Sequence, residues 1–504
     1  MKKFIIPSMI LAIAGFTSCN DYLDINSNPN SPDEASLTND LIYPGVEMAY
    51  VAITGNYLRS CAGYLSEFYA QQFGTSNYVP FSQFEASQER TSYFYQYLYL
   101  RVLSNANIVK GKAEAEGDWA TYLAATVMSA ATFQDLVDMY GETPYTEALD
   151  AENPMPNYDK GDVVYAGILN DLDEAIQKAK ADPKQLTATS FLIPNGAAED
   201  WIQVANALKL RILMREHNVV NVSSQLASLI QENNFPASDI EWAGCWSNAS
   251  EKANPFYSEE FADWGAQKNA ILNCALQITM SAYNDGRLPV YFTRSQYDGQ
   301  FHGSVSGDNM SSAVAPYSST TYWSRPNMAY NTPVSFISRA EIEFWLAEYY
   351  ADNGDMTNGA NHYQAAIEAS FASAGVDGAA DAIAAWPFTA NTWKESLGVQ
   401  KWVLFGCINT FQGWCELRRL KYPAFDTAIT GTDMYSGKSN CNVDTSLLSP
   451  GHIYTPYKVY AEVGDNHVVQ RFPYSSASEN RNEHVGEGTE NEFPGFLAPI
   501  FWAE

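Results

Sequence analysis

The chain has little charge of either sign, and least of the positive sign. Of its 504 residues only 17% are charged, and 29 basic residues face 58 acidic ones. The formal charge is −29, moving to about −31 if Lys2 and Lys3 leave with the leader described below. Such a polyanion repels phosphate backbones and anionic head groups, which excludes nucleic acid as a partner. Beyond the N-terminus no stretch approaches the roughly 18 apolar residues that a spanning helix needs. There is no Cys-x-x-Cys pair, so the spacing of a structural zinc site is missing as well.

Catalytic signatures are equally scarce. The sequence contains no Gly-x-Ser-x-Gly elbow and no His-Glu-x-x-His. Its six histidines (217, 302, 362, 452, 467 and 484) include no pair at i,i+4. "GTDMYSGKS", Gly431–Ser439, resembles a phosphate loop but has five residues between its glycines where four are needed. No strand-forming run is read before it, and it is assigned as a turn. The chain is therefore read as a binding protein and not an enzyme. Paired carboxylates among 58 acids leave one enzyme alternative open, an exported glycoside hydrolase with an α/α-barrel.

What is present begins with a leader. Lys2 and Lys3 precede a mostly apolar run from Phe4 to Ala14, followed by the small residues Gly15, Thr17 and Ser18. This order marks residues 1–18 as a secretory signal peptide, too short to span a membrane. Cys19 then reads as the lipid-bearing first residue of a lipoprotein. The box Phe16-Thr17-Ser18-Cys19 departs from the usual Leu-Ala-Gly-Cys but keeps small residues before the cysteine. Several acyl chains on that residue would anchor it stably, where one chain binds only marginally. Residues 19–36, rich in Asn, Asp, Ser and Pro, form a tether that cannot bury a core.

Residues 37–504 are expected to form one mainly α domain. Its scaffold spans about 37–240 and 336–422, with loop-rich insertions at about 241–335 and 423–504. Tyr93–Ala115 and Trp119–Tyr140 read as long helices, the second stopped by Gly141 and Pro144. Asp162–Lys180 is amphipathic, with Val163, Ile168, Leu172, Ala175, Ile176 and Ala179 on one face. Trp201–His217 and Val222–Glu232 read as a helical pair. In "FWLAEYYADNGDMTNGANHYQAAIEASF" the spacing Leu346-Ala347-x2-Tyr350, then Gly359-x3-Tyr363-x2-Ala366, is that of a tetratricopeptide helix pair turning at Gly354-Asp355. "WIQVANAL" repeats its first half. The insertions hold Gly, Ser, Asn, Pro and aromatics, with short strand-like runs such as Leu288–Thr293. Apart from Cys19, the cysteines 61, 245, 274, 407, 415 and 441 show no disulfide framework. Cys407 and Cys415 read as lying on one helix, about 12 Å apart and too far to bridge. Most of the six are expected to be buried thiols.

The order of segments resembles a known family. "SCNDYLDINSNPNSP", "DMYGETPYTEAL", "WIQVANALKLRILMR", "DGRLPVYF" with "YDGQFHG", "RAEIEFWLAEYYADNG", "QKWVLFGCINTFQGWCELRR" and "RFPYSSASENRNE" follow one another as in the SusD/RagB-like nutrient-binding outer-membrane lipoproteins of Bacteroidetes, in the SusD-like branch. The resemblance implies a tetratricopeptide-like scaffold capped by a loop-rich half, with lipid anchoring on the outer face of the outer membrane. It further implies a lid on a SusC-like TonB-dependent barrel, capturing oligosaccharide or, in some branches, peptide for import. It implies no enzyme activity and no cofactor, and the sequence assigns no calcium site. Arg418 and Arg419 in "ELRRLKYP" could form an anion site. The structural reading is preferred, with these arginines serving helix carbonyls or the buried carboxylates of Glu341 and Glu348.

Ligand contacts cannot be carried over by motif, so they are read from chemistry. A neutral ligand needs exposed rings flanked by amides or carboxylates. Rings on periodic helices, such as Trp201 and Trp345, are assigned to the core. Rings in Gly/Ser/Asn loops are the candidates: Tyr78 and Phe81, Trp264, and Tyr317, Tyr322 and Trp323. Asn77, Gln83 and Asn327 could supply polar contacts. The 304–330 loop ranks first, and Trp323→Ala is expected to weaken binding while barely moving stability.

Overall fold

The structure is a computed structural model and describes residues 37–503 apart from 73, 250, 264–268, 309–312, 437–440 and 486–496. The leader, Cys19, the tether and Trp264 lie outside the described residues. Within them the chain is mainly helical, and the strands form four separate pairs of short segments. None of the described helices is long and apolar enough to cross a membrane.

The frame is built by successive helices packing on one another. Ser104–Glu116 lies on Trp119–Tyr140, which lies on Gly161–Ala181, which in turn packs on Ala198–Glu216. Asp118 caps Trp119–Tyr140 by accepting from the amide of Thr121 at 3.0 Å. Ala-rich stretches let these helices approach closely, so Trp119–Tyr140 is buried along nearly its whole length. The tetratricopeptide spacing forms an antiparallel pair, Arg339–Asp352 and Met356–Ala374. Gly354 takes φ +81° in the turn, and Asp355 caps the second helix. Gly359 lets the two helices approach closely, since a Cβ there would stand 3.1 Å from the Phe388 ring and 3.2 Å from the carbonyl oxygen of Ala347, tighter than an ordinary contact.

Several boundaries differ from the sequence reading. The expected Tyr93–Ala115 helix is three segments: Gln88–Tyr97, a wider π-type stretch Leu98–Leu103, and Ser104–Glu116. The Ser104 hydroxyl donates to the Tyr99 carbonyl, five residues back, inside that wider stretch. On Gly161–Ala181 the apolar face is completed by Val164 and Tyr165, and Val163 turns out to solvent at 44% exposure. Leu288–Thr293 is not a strand. Pro289, which lacks a backbone N–H, sits in the first turn of a short helix, Leu288–Tyr291. Cys407 and Cys415 belong to two helices, Trp393–Ile408 and Thr410–Leu420, because Asn409 leaves helical geometry and caps the second. Of the six described cysteines, every one but Cys245 is buried. A seven-residue strand, Ala424–Thr430, does precede Gly431, which opens a four-residue helical turn. The glycine spacing still departs from a phosphate loop, and residues 437–440 are outside the described set.

Buried charge ties the frame together. Lys401 Nζ lies 3.0 Å from Glu348 and 3.1 Å from Glu416, above the Trp345 ring. Arg419 reaches the same two carboxylates at 2.6 and 2.8 Å. Burial alone would raise the Glu348 carboxyl, but Arg419 and Lys401 outweigh it and hold it well below the usual range. The same balance brings Glu416 down to about 2. Arg419 thus pairs with Glu348 as expected, whereas Glu341 is held by Arg211 at 2.6 Å. Arg418 donates to the backbone carbonyls of Asp138 and Gln470 and lies over Trp414. Neither arginine is open to an external anion. Trp201 and Trp345 are core residues.

Candidate functional site

Two loop segments, about 294–303 and 314–325, are zipped to each other and to the frame. The amide of Gln296 donates to the Thr321 carbonyl at 3.0 Å, and that of Ser324 to the His302 carbonyl at 2.9 Å. Leu272, in the strand Ala270–Leu272, donates to the Ser324 carbonyl and accepts from the amide of Ser304. These bonds fix a backbone that has no helix or long strand of its own.

The fixed loops carry a ring cluster centred on Tyr322. The His302 imidazole stacks on Tyr322 at 4.2 Å between centroids, with 14° between planes. Tyr317 and Trp323 each meet it edge-on at 5.0 Å, and Tyr297 lies 5.7 Å away. Trp323 forms the base: it is 3% exposed, and its indole N–H donates to the Tyr317 carbonyl at 2.9 Å. Tyr317 and Tyr322 are half-buried, while Tyr297 stands out at 63% exposure. Burial, with Tyr317 and Asp298 nearby, pushes the Tyr322 hydroxyl up to about 12, so it stays a neutral donor at neutral pH.

Polar groups rim the rings. Asp298 lies 2.9 Å from His302 Nε2 and accepts from the amide of Gln300 at 3.0 Å. That amide first, and His302 second, hold the Asp298 carboxyl below its ordinary value. An exposed ring beside a fixed carboxylate and imidazole presents an apolar face and hydrogen-bonding edges side by side. That combination suits a hydroxyl-rich ligand with one apolar face.

The structure brings Tyr317, Tyr322 and Trp323 together but corrects the role of Trp323. A buried indole cannot stack on a ligand, and its removal would open a cavity under Tyr322. Tyr78 and Phe81 are corrected likewise, at 2% and 0% exposure. Tyr78 stacks on Tyr64 at 5.2 Å and bonds Glu259 through its hydroxyl, and Phe81 packs edge-on against Tyr57. Asn77 is exposed, with its carbonyl accepting from Arg90, and Gln83 donates to the Gly307 carbonyl at 3.0 Å. Exposed Asn327 lines a separate cavity and donates to the Val290 carbonyl at 3.0 Å. Sequence reasoning missed Tyr297 and His302. Both sit in "YDGQFHG", a Gly-containing loop that meets the criterion applied to the other rings.

One cluster has metal-ligand chemistry among the described residues, His217, Glu348 and Asp352. Glu348 already gives both oxygens to Arg419 and Lys401, so this set is an extension of the ion-pair network.

The fold and the ring cluster define a class: a helical-pair frame presenting a loop-borne aromatic surface. Residues 31–440 match the SusD-like family described as starch-binding and associating with the outer membrane, and the chain belongs to that family. It is a family of nutrient-binding proteins. No curated protein matches the chain. Among solved structures, a SusD homologue from Bacteroides uniformis is 21% identical with a TM-score of 0.75, covering 93% of this chain and 100% of its own. A chitin-binding SusD homologue from Flavobacterium johnsoniae is 18% identical with a TM-score of 0.70, covering 92% and 96% respectively. A SusD homologue from Bacteroides thetaiotaomicron is 16% identical with a TM-score of 0.70, covering 93% and 99%. The shared fold is this helical frame and not the α/α-barrel of the hydrolase alternative.

Proposed function

We propose that this protein is a surface-exposed, non-enzymatic lipoprotein that captures oligosaccharide as the lid of a SusC-like TonB-dependent barrel. Support for the ligand class comes first from the ring cluster. Tyr297 offers an exposed face, and Tyr322 extends it toward Asp298 and His302. A pyranose stacks its apolar face on such rings while its hydroxyls reach the rim. Family membership, with its starch-binding and outer-membrane description, supports the setting. Anchoring through Cys19 rests on the leader and the polar tether after it. The barrel partner rests on the resemblance.

The test is titration calorimetry of the mature chain against starch and chitin oligosaccharides. Tyr322→Ala is expected to weaken binding of the recognised glycan by about 1–3 kcal/mol, roughly 5- to 150-fold. Glycan affinity unchanged in both Tyr297→Ala and Tyr322→Ala would remove the cluster from the site. For the anchor, Cys19→Ala is expected to abolish fatty-acid labelling and release the protein from the membrane. A label that survives the substitution would refute it.

A further inference from the structure

A second concavity of about 310 Å³ lies apart from the ring cluster. Its walls are the strand pair Ile240–Trp242 and Val334–Ile337, the short helix Leu288–Tyr291, and the break between Trp393–Ile408 and Thr410–Leu420. Trp242 points into the core, so the alternation of a strand turns its neighbour Glu241 the other way, into the cavity. The Glu241 carboxylate is half-buried and meets no hydrogen-bond donor among the described residues. Burial, and then the neighbouring Asp239, raise its proton affinity. Asp239 is itself fixed, accepting from the Arg339 amide at 2.7 Å and the Ser373 hydroxyl at 2.6 Å.

A different wall carries the opposite charge. Arg59 is 8% exposed and donates to the Tyr69 hydroxyl and to the carbonyls of Ile408 and Cys407, which the helix break frees. Those bonds use three of its five N–H groups. Unlike Arg211, Arg215, Arg287, Arg419 and Lys401, it has no carboxylate within ion-pair distance among the described residues. The cavity thus holds an unpaired guanidinium and an unpaired carboxylate that do not pair with each other. Tyr291, Phe292 and Met328 supply apolar surface to the same cavity.

We infer that this cavity binds a small zwitterion with its charges at opposite ends, the chemistry of a dipeptide or an ω-amino acid. The ligand ammonium is taken by Glu241 and its carboxylate by the free N–H groups of Arg59. An anion alone would face Glu241 and Asp239, a cation alone would leave Arg59 unmatched, and a neutral sugar would leave both charges uncompensated. The volume lies at the lower end of the range of small-ligand pockets.

The probe is glycyl-phenylalanine, titrated into the full mature chain by calorimetry, beside its N-acetylated and C-amidated forms. Either cap, or Glu241→Gln, is expected to weaken binding at least about tenfold, because each strips one partner from a charge pair. Glu241→Gln removes no internal hydrogen bond, so folding is kept; Arg59→Lys, which also disturbs the helix break, is the secondary variant. Tyr322→Ala is expected to leave dipeptide affinity unchanged, which separates this site from the glycan surface. Absence of binding at millimolar dipeptide, equal affinity for the capped forms, or full affinity in Glu241→Gln would each overturn the inference. A loss on Tyr322→Ala in place of Glu241→Gln would move the ligand to the ring cluster and overturn it too.

Discussion

The helical frame and the 294–325 loops both stack aromatic rings, and they use them in opposite ways. In the frame Trp345 and Trp414 are sealed, each with a cation over its face from Lys401 or Arg418. In the loops a single sealed ring, Trp323, supports Tyr317 and Tyr322, and Tyr297 projects beyond them. Ring content alone therefore does not mark a binding surface. The difference lies in what covers the second face. A helix supplies a neighbouring helix; a loop held by backbone hydrogen bonds leaves that face to solvent.

Breaking the frame is expected to cost the most. Glu348→Gln leaves Arg419 and Lys401 short of a buried counter-charge, and removing one partner of a buried pair costs about 3–5 kcal/mol. Urea unfolding at neutral pH reads that loss, while glycan affinity of the folded fraction stays unchanged. The pH dependence sharpens the point. The folded carboxyls of Glu348 and Glu416 lie below their unfolded value, Glu416 at about 2. Their contribution is full above the unfolded value and is lost as pH falls toward the folded one. The stability gap between wild type and Glu348→Gln should therefore narrow below about pH 4.5. A gap constant from pH 7 to pH 3 would refute the network's role.

Trp323→Ala is the substitution where the two regions meet. Its ring is as buried as a frame tryptophan, so truncation should destabilise the fold by about 3 kcal/mol, as for other buried aromatics. Glycan binding should fall as well, but through the loss of Tyr322's support. Trp323→Phe, which refills most of the space, should recover most of the stability. Loss of glycan affinity in Trp323→Ala with unchanged unfolding free energy would return the ring to direct contact.

The frame was legible in the sequence because its signals are local. Gly354-Asp355 and the small residues on either side specify the Arg339–Asp352 and Met356–Ala374 pair within about forty residues. The end of Trp119–Tyr140 was legible in Gly141 and Pro144, whereas its start is set by the Asp118 cap that only the structure shows. The site was legible only in part, because exposure of a loop ring depends on distant segments. Tyr78 lies in a Ser/Asn-rich loop, yet Tyr64 and Glu259, from other parts of the chain, cover it. Trp323 and Tyr322 are adjacent in sequence, and Trp323 is the one that turns inward, packed in the core with its indole bonded to the Tyr317 carbonyl. The cavity between Arg59 and Glu241 had no local signal, since its residues are scattered from position 59 to 408.

The smallest effect is expected at Tyr297, and it isolates the ligand contribution from the fold. Its ring is 63% exposed and touches the cluster only at Tyr322, 5.7 Å away. Tyr297→Ala should leave stability within about 0.5 kcal/mol, as exposed substitutions generally do. A ring stacked on a sugar in an open site adds about 1 kcal/mol, so the same variant should bind glycan about fivefold more weakly. Tyr297→Phe keeps the apolar face and loses only the hydroxyl. It should retain most of the affinity if stacking is the interaction, and behave like the alanine variant if the hydroxyl is what the ligand meets. Calorimetry on both variants with one glycan decides between them. Wild-type affinity in Tyr297→Ala would confine the platform to Tyr322 and Tyr317, the half-buried rings behind it.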